Sequence, residues 1–474
     1  MVTTNIGFII VLLFLLVCML NYTNRLNLLA TRTTGRMDRI SERILTEVED
    51  SITPFSLFLH RAYIESSSNH SKIRLLSINR CLDPDAFIDG FVDGQQIALR
   101  AEPIEGTCPW IWAPGCLYNS YVFDGTLEGE VKNNYITFSR ARKKVALPLE
   151  RVPQRTKGTL TFCVPPVYWF TNWTKMIFAL EMWKAQGVNH VIVYYHSSNE
   201  HVYDVLRHYE KEGFVTIVRW PSLPRDAFSD PNLSLYRLAH SLAQNDCVLR
   251  IDTEFGAVID IDEVIFPRSG SLLTLVRNLF LDHPSAGALS FSHRSLIFEP
   301  PMAGQNFTFE KLDFSGIRNA TEFKLQGPPK VIFRTETVDL LSTHDVRIYK
   351  SHVTTFKVPV EDAVLLHHRY NHVGGENPQR VDLLSSKADL DTFQEFLSYK
   401  ACTVFPNGAD FHFETQRALG MCLKSWRKDQ HQCKTPLPSY FIGKTTSEDY
   451  RYLQLVDEFL STFRLYGSSF FSMI

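Results

Sequence analysis

Three carboxylates, Asp260, Asp262 and Glu263, interrupt the otherwise apolar run GAVIDIDEVIFP, where a buried strand gains nothing from charge. Residues i and i+2 of a strand project to the same side, so Asp260 and Asp262 would face one point while Glu263 faces the other way. Two hard oxygen donors on one side suit Mg2+ or Mn2+, with waters or phosphate oxygens filling the remaining positions. Asp-x-Asp is a weak signal by itself, and it occurs three times in this chain. Asp83 and Asp85 lie in a Pro-containing turn and Asp389 and Asp391 in a polar stretch, so only Asp260 and Asp262 end a hydrophobic run. A structural ion pair is the plainer alternative. Downstream, Lys330 in GPPKVIFR, His344-Asp345 in STHDVR and His367-His368-Arg369 in LLHHRY are polar clusters that could complete a site. His367 directly follows an apolar, strand-like run, which makes its imidazole the candidate third metal ligand. P-loop, serine-hydrolase, zincin and dinucleotide-binding motifs are absent from the sequence.

The elements before the carboxylates alternate in type. LTFCV reads as a strand, and TNWTKMIFALEMWKAQG as a helix with Trp173, Ile177, Leu180 and Trp183 or Lys184 at helical spacing and Gly187 closing it. VNHVIVYYH then reads as a buried strand, EHVYDVLRHYEKEG as a helix burying Val202, Val205, Leu206 and Tyr209, and FVTIVRW as a strand. A further helix is predicted over LSLYRLAHSLAQND, with Leu235, Leu238, Ala239, Leu242 and Ala243 on one face, followed by a strand CVLRI. This order predicts a parallel sheet with right-handed crossovers, whose ligands gather at the carboxyl ends of the strands, where the acidic triplet falls. Upstream, residues 72–153 carry short strand signals separated by Gly, Pro, Asn and Asp and read as a small β-rich domain. The basic run RARKK at 140–144 reads as a solvated hairpin end rather than a phosphate patch. Residues 25–71, ending near ESSSNHS, read as a stem, and residues 441–474 as a C-terminal amphipathic helix and tail.

At 474 residues, 45% hydrophobic and 21% charged, the chain is long enough for two or three folded domains. A net charge of -2 excludes a charge-driven nucleic-acid binder. The uncharged run 6–20 would form roughly 22 Å of helix, short against a hydrocarbon core of about 30 Å. No basic stretch precedes it and no small-x-small site follows, so within residues 1–24 a membrane anchor is expected ahead of a cleaved signal peptide. Arg25, Arg32, Arg36, Arg39 and Arg43 all follow that run, against the positive-inside rule for a lumenal body. Asn-x-Ser/Thr sequons at Asn21, Asn69, Asn172, Asn232, Asn306 and Asn319 and eight cysteines beyond Cys18 speak for a lumenal body with glycans and disulfides. Free buried thiols are the alternative. Cys108 and Cys116, flanking a PWIWAPG turn, are near enough in sequence for a local bridge.

FALEMWKAQGVNHVIVYY, AQNDCVLR, AVIDIDEVIFP, GPPKVIFR, STHDV and LLHHR, in this order over about residues 155–375, resemble glycosyltransferase family 92. The resemblance implies an α/β fold, with a GT-A-type nucleotide-diphospho-sugar transferase domain over residues 154–440 behind the β-rich one. It implies a single-pass type II Golgi membrane protein whose catalytic domain is lumenal. It further implies inverting transfer of galactose from UDP-galactose to a glycan of a glycoprotein or glycolipid, with Mn2+ as cofactor. By that resemblance Asp260 and Asp262 match the family's Asp-x-Asp, and His367 the His of its usual His-Tyr-Arg, whose Tyr is here His368. Lys330 would contact the diphosphate and His344 the acceptor, and Glu263 and Arg369 join them as substrate-binding candidates. Inversion needs a carboxylate to take the acceptor proton. Asp345 is the candidate, with Glu361 and Asp362 as rivals. Two other classes compete: a non-catalytic lumenal carbohydrate- or UDP-binding protein that keeps the fold, and a metal-dependent phosphohydrolase. The second lacks a visible second carboxylate/His set.

Overall fold

The computed structural model describes residues 57–66, 69–111, 113–140, 143–224, 230–297, 320–324, 327–368 and 376–381, with Lys400, residues 403–404, Cys433 and residues 451–453. These residues belong to one compact unit, Pro54–Ile474. The expected anchor lies outside the described residues, and among the described residues no helix is long and apolar enough to cross a membrane.

The first seven strands are β1 (Leu57–Ser66), β2 (His70–Arg80), β3 (Phe87–Val92), β4 (Gln95–Pro103), β5 (Tyr118–Glu128), β6 (Tyr135–Arg140) and β7 (Lys143–Arg151). Their pairing order is β2-β5-β4-β3-β6-β7-β1, and β1 also pairs with β2, so the sheet closes on itself as a barrel. Period-2 patterning is the cause. In β3 Ile88 and Val92, in β4 Ile97 and Leu99, in β6 Ile136 and Phe138, and in β7 Val145, Leu147 and Leu149 alternate inward and fill one core. β1 begins at Leu57, inside the segment expected to be stem, and pairs with β2 up to Ser66↔Ser71. The polar run ESSSNHS is therefore where two long paired strands meet, not a spacer, because LFLHRAYIES supplies a buried strand ahead of it. The basic run does fall at a hairpin end, with Arg140 opposite Lys143.

The chain continues through β8 (Thr156–Val167), α1 (Trp173–Ala185), β9 (His190–Tyr195), α2 (Glu200–Lys211), β10 (Val215–Arg219), α3 (His240–Arg250), β11 (Thr253–Val258), β12 (Glu263–Pro267) and α4 (Leu272–Asp282). It then forms β13 (Ala286–Phe291), β14 (His293–Ile297), β15 (Thr321–Lys324), β16 (Lys330–Arg334), β17 (Val338–Leu341), β18 (Val346–Tyr349), β19 (Thr354–Lys357), β20 (Ala363–His368), β21 (Glu376–Arg380) and β22 (Arg451–Leu453). A seven-stranded sheet runs β10-β9-β8-β11-β16-β13-β19, and a five-stranded one β12-β20-β14-β15-β21. In the first, β10, β9, β8 and β11 are mutually parallel, so their carboxyl ends share one rim. Helix α1 starts where Asn172 accepts a hydrogen bond from the Lys175 amide, and it is buried on nearly every side from Trp173 to Trp183. α2 is capped by Asn199 and buries only the stripe Val202, Val205, Leu206 and Tyr209.

Three expected elements differ. The helix predicted over LSLYRLAHSLAQND does not start until His240, because Arg237, Leu238 and Ala239 have φ of 45°, 53° and 56°, a left-handed turn that a right-handed helix cannot include. The helix then carries on to Arg250, so the strand expected at CVLRI is its last turn, where Cys247 is bonded to Cys163 of β8. In the C-terminal stretch expected to be helical, Arg451–Leu453 is a strand paired with β1, and the rest lies outside the described residues.

Candidate active site

Two of the passages of the chain from the seven-stranded to the five-stranded sheet build the site, between β11 and β12 at Asp260–Asp262 and between β13 and β14 at Ser292. Asp260 and Asp262 therefore lie in a turn between two strands, and Glu263 opens the second of them. Ile261 packs on the main core, and the Glu263 amide donates to the Asp260 carbonyl at 2.9 Å. The side chains grade in exposure, Asp260 at 48%, Asp262 at 26% and Glu263 at 4%.

Pairing brings the other groups in. Glu263 is opposite His367 across β12 and β20, and His367 is opposite Ser295 across β20 and β14. β16 runs antiparallel to β11 with Ala257 opposite Ile332, which carries Lys330 to the turn that follows β11. The Lys330 ammonium lies 3.2 Å from an Asp260 carboxylate oxygen and 3.5 Å from Glu263. His367 Nε2 lies 3.3 Å from Asp262 Oδ2, and its Nδ1 lies 3.1 Å from His293 Nε2. Lys175, in the first turn of α1, donates to the His368 carbonyl at 2.9 Å and stands 3.8 Å from Asp262.

Burial sets the protonation. Glu263 is pushed up to about 7 by burial and by the neighbouring Asp260 and Asp262 charges, against the pull of Lys330 and His367. Burial would strip the proton from Lys330, but Asp260 and Glu263 more than offset it and raise its pKa. Burial and then Lys330 lower His344 to about 4, so its imidazole is neutral at pH 7. A cation can fit beside Asp262 and His367: two adjacent ligands at about 2.1 Å from one ion stand roughly 3 Å apart. Asp260 is turned to Lys330 instead, and among the described residues no three His, Cys, Asp or Glu side chains converge on one point.

The model of glycosyltransferase family 92 matches residues 158–401, more than half of the 474. The chain belongs to glycosyltransferase family 92. A family 92 protein of Caenorhabditis elegans is 31% identical over 201 residues, 41% of this chain and 38% of the relative. A second from the same organism is 22% identical over 231 residues, 47% and 44% of the two chains. The matched part thus spans less than half the length of these curated relatives. Among solved structures, S. aureus TarS in complex with UDP-GlcNAc aligns with 63% of this chain and 100% of its own at 12% identity and a TM-score of 0.27, a likeness that adds nothing to the geometry above.

In this family 92 chain, Asp260, Asp262, Glu263, Lys330 and His367 come together, and His344 is near enough to feel both Lys330 and Asp260. Arg369 lies outside the described residues. Asp345 follows His344 in an exposed turn, and its carboxylate accepts from Ser342 Oγ at 2.6 Å. Glu361 and Asp362 lie in the turn that precedes β20, at the opposite end of that strand from His367. His368, adjacent to His367 on a strand, faces the opposite side and is 3% exposed. Sequence reasoning missed Lys175 and His293. A lysine in a helix's first turn carries no signal, whereas His293, opening a strand one residue after the apolar AGALSF, could have been found.

Asn232 is not a glycan site in this fold. It is buried, with its amide donating to the Leu223 carbonyl and accepting from the Leu223 amide. Asn69 is exposed, Asn172 is half-buried with its oxygen capping α1, and Asn21, Asn306 and Asn319 lie outside the described residues. Cys108 and Cys116 do not bridge each other. Cys108 pairs with Cys81, and Cys116 with Cys433. The end of β2 lies beside the segment before β5, where the Cys81 amide donates to the Leu117 carbonyl, and the Cα atoms of Cys81 and Cys108 are 5.0 Å apart.

Proposed function

We propose that this family 92 chain is a glycosyltransferase that moves a sugar, galactose, from UDP-galactose to a hydroxyl of a glycan on a glycoprotein or glycolipid, with inversion. The observation that carries the reading is the meeting of Asp260, Asp262, Glu263, Lys330 and His367 where two sheets cross at the carboxyl rim of the parallel strands. Asp262 and His367 would hold Mn2+ or Mg2+, with Asp260 the third candidate ligand. A bound cation neutralises charge developing on the departing diphosphate. Lys330 and Lys175 flank that place and add fixed positive charge. A cavity of about 520 Å3, lined among others by Tyr195, Tyr203 and Trp220, opens at the ends of β9 and β10. It is two to three strand spacings, about 10–14 Å, from β11, a span suited to the nucleoside end of the donor. Neutral His344 can hydrogen-bond the acceptor, and Asp345 takes its proton as the hydroxyl attacks. The protein is further proposed to be held in a secretory-pathway membrane, that of the Golgi, by residues 6–20 as a single-pass type II protein.

UDP release by the chain, measured over a panel of UDP-sugars with glycan acceptors and with Mn2+ or EDTA, tests donor, cation and reaction together. Acceptor-dependent release that needs Mn2+ and falls at least 100-fold in Asp262→Ala is the expected result; release indifferent to EDTA would remove the cation from the reading. Asp345→Asn is expected to lose transfer by about 100-fold or more while still binding UDP, and unchanged turnover would discard Asp345 as base.

A further inference from the structure

His293 belongs to neither the acidic turn nor the LLHHR segment, yet it touches the residue on which the cation reading depends. β14 runs parallel to β20 with Ser295 opposite His367, so His293, two residues earlier, lies on the same face as His367 and Glu263. Its ring stands edge-on to that of His367 at 79°, with Nε2 3.1 Å from His367 Nδ1. Both rings are buried, at 8% and 6% exposure. Across the His367 ring, Nε2 is the nitrogen that faces Asp262. Glu263 Oε1 lies 3.9 Å from Nδ1, too far for a hydrogen bond.

A neutral imidazole offers one donor and one acceptor, and a partner at one nitrogen decides the role of the other. Without a partner at Nδ1 the ring can turn over about its bond to Cβ and exchange its two edges. Gly327 closes off the movement of His293 in turn. A Cβ at Gly327 would come within 2.7 Å of His293 Cγ and Nδ1, so only glycine lets this backbone lie against the ring. Gly327 opens the GPPK segment that ends in Lys330.

We propose that His293, backed by Gly327, is a positioning residue that holds His367 with Nε2 turned to Asp262, and that this orientation sets the affinity of the Asp262–His367 pair for a divalent cation. The proposal rests on the cation reading above. Without a cation, the Asp262 carboxylate can only accept, so His367 Nε2 carries the proton toward it and Nδ1 accepts from His293 Nε2; with a cation bound, Nε2 would give up that proton and Nδ1 would carry it and donate to His293. The contact acts through His367 and does not touch the substrate.

The experiment uses the full chain, with Mn2+ binding followed by electron paramagnetic resonance and the His367 tautomer by 15N resonances assigned through their loss in His367→Gln. His293→Ala and Gly327→Ala are each expected to weaken Mn2+ binding about 10-fold or more and to leave His367 as a mixture of tautomers. His293→Gln, whose side-chain amide can donate to Nδ1 and, turned over, accept from it, is expected to restore affinity to within about 3-fold and to restore the single Nε2–H tautomer of the metal-free chain. Unchanged affinity or an unchanged tautomer in His293→Ala overturns the proposal. Should Gly327→Ala fail to give a cooperative melt, the two His293 variants decide. If the unaltered chain binds no Mn2+, the cation reading fails by itself; the His367 tautomer in His293→Ala then still upholds or overturns the positioning role.

Discussion

Glu263 shows how a single carboxyl can register the charge balance of the site. Its carboxyl keeps a proton up to about 7 in the folded chain, but loses it near the ordinary value of 4.5 once unfolded. Between those values the folded state binds the extra proton, so stability falls as pH rises from about 4.5 to about 7 and is level above. Glu263→Gln mimics the protonated form and is expected to remove that slope from thermal melts taken between pH 4.5 and 8. A slope retained in the variant would show that another group carries it. Asn232 supports a different prediction at the same scale. Its amide is spent on the Leu223 backbone, so peptide mapping after enzymatic glycan release should find Asn232 unmodified while exposed Asn69 is converted; a glycan on Asn232 would contradict the fold around it.

At the scale of elements, the site is made by two strand-to-strand crossings and not by a continuous acidic strand. The run AVIDIDEVIF has strand character throughout, and alternation alone puts Asp260 and Asp262 on one side. The turn breaks that alternation. It sends Asp260 to Lys330 on the seven-stranded sheet, Asp262 to His367 on the five-stranded one, and buries Glu263 between them. The two β-pairings that matter, Glu263 with His367 and Phe291 with Lys330, join residues far apart in sequence. Local periodicity reports on i+2 or i+4 neighbours and cannot report these. Helices α1 and α2 were legible because their caps, apolar spacing and closing glycines are local; α3 was not, because three left-handed residues without glycine give no compositional warning.

The whole molecule is joined through Asp246, which is wholly buried on α3. Tyr63 of the barrel donates to one of its oxygens at 2.5 Å, while Tyr194 of β9 at 2.7 Å and Arg250 at 3.0 Å donate to the other. Burial would raise this carboxyl, but Arg250 and Arg61 overcome it and hold it down to about 2. A depressed acid stabilises the fold above its unfolded value, so this contribution is full at neutral pH and is lost as pH falls from about 4 to about 2. Asp246→Asn is expected to cost about 3–5 kcal/mol at pH 7 in denaturant melts, since it leaves Arg250 and Arg61 without their buried counter-charge. A cost below about 1 kcal/mol would show that the barrel and the α/β sheets do not depend on this junction.

The sequence by itself determined the alternation of strand and helix from β8 to β10, the apolar faces of α1 and α2, and the identities of Asp260, Asp262, Lys330 and His367, because side-chain chemistry and short-range spacing are properties of the chain. Only the tertiary structure decided that the β-rich part closes through β1 into a barrel, that Cys81 and not Cys116 meets Cys108, and that Asn232 is buried. It also decided which of the three carboxylates faces Lys330, which faces His367, and that His293 stands behind His367. Each of these depends on a pairing between distant residues, and such pairings are selected by the burial and hydrogen bonding of the complete fold.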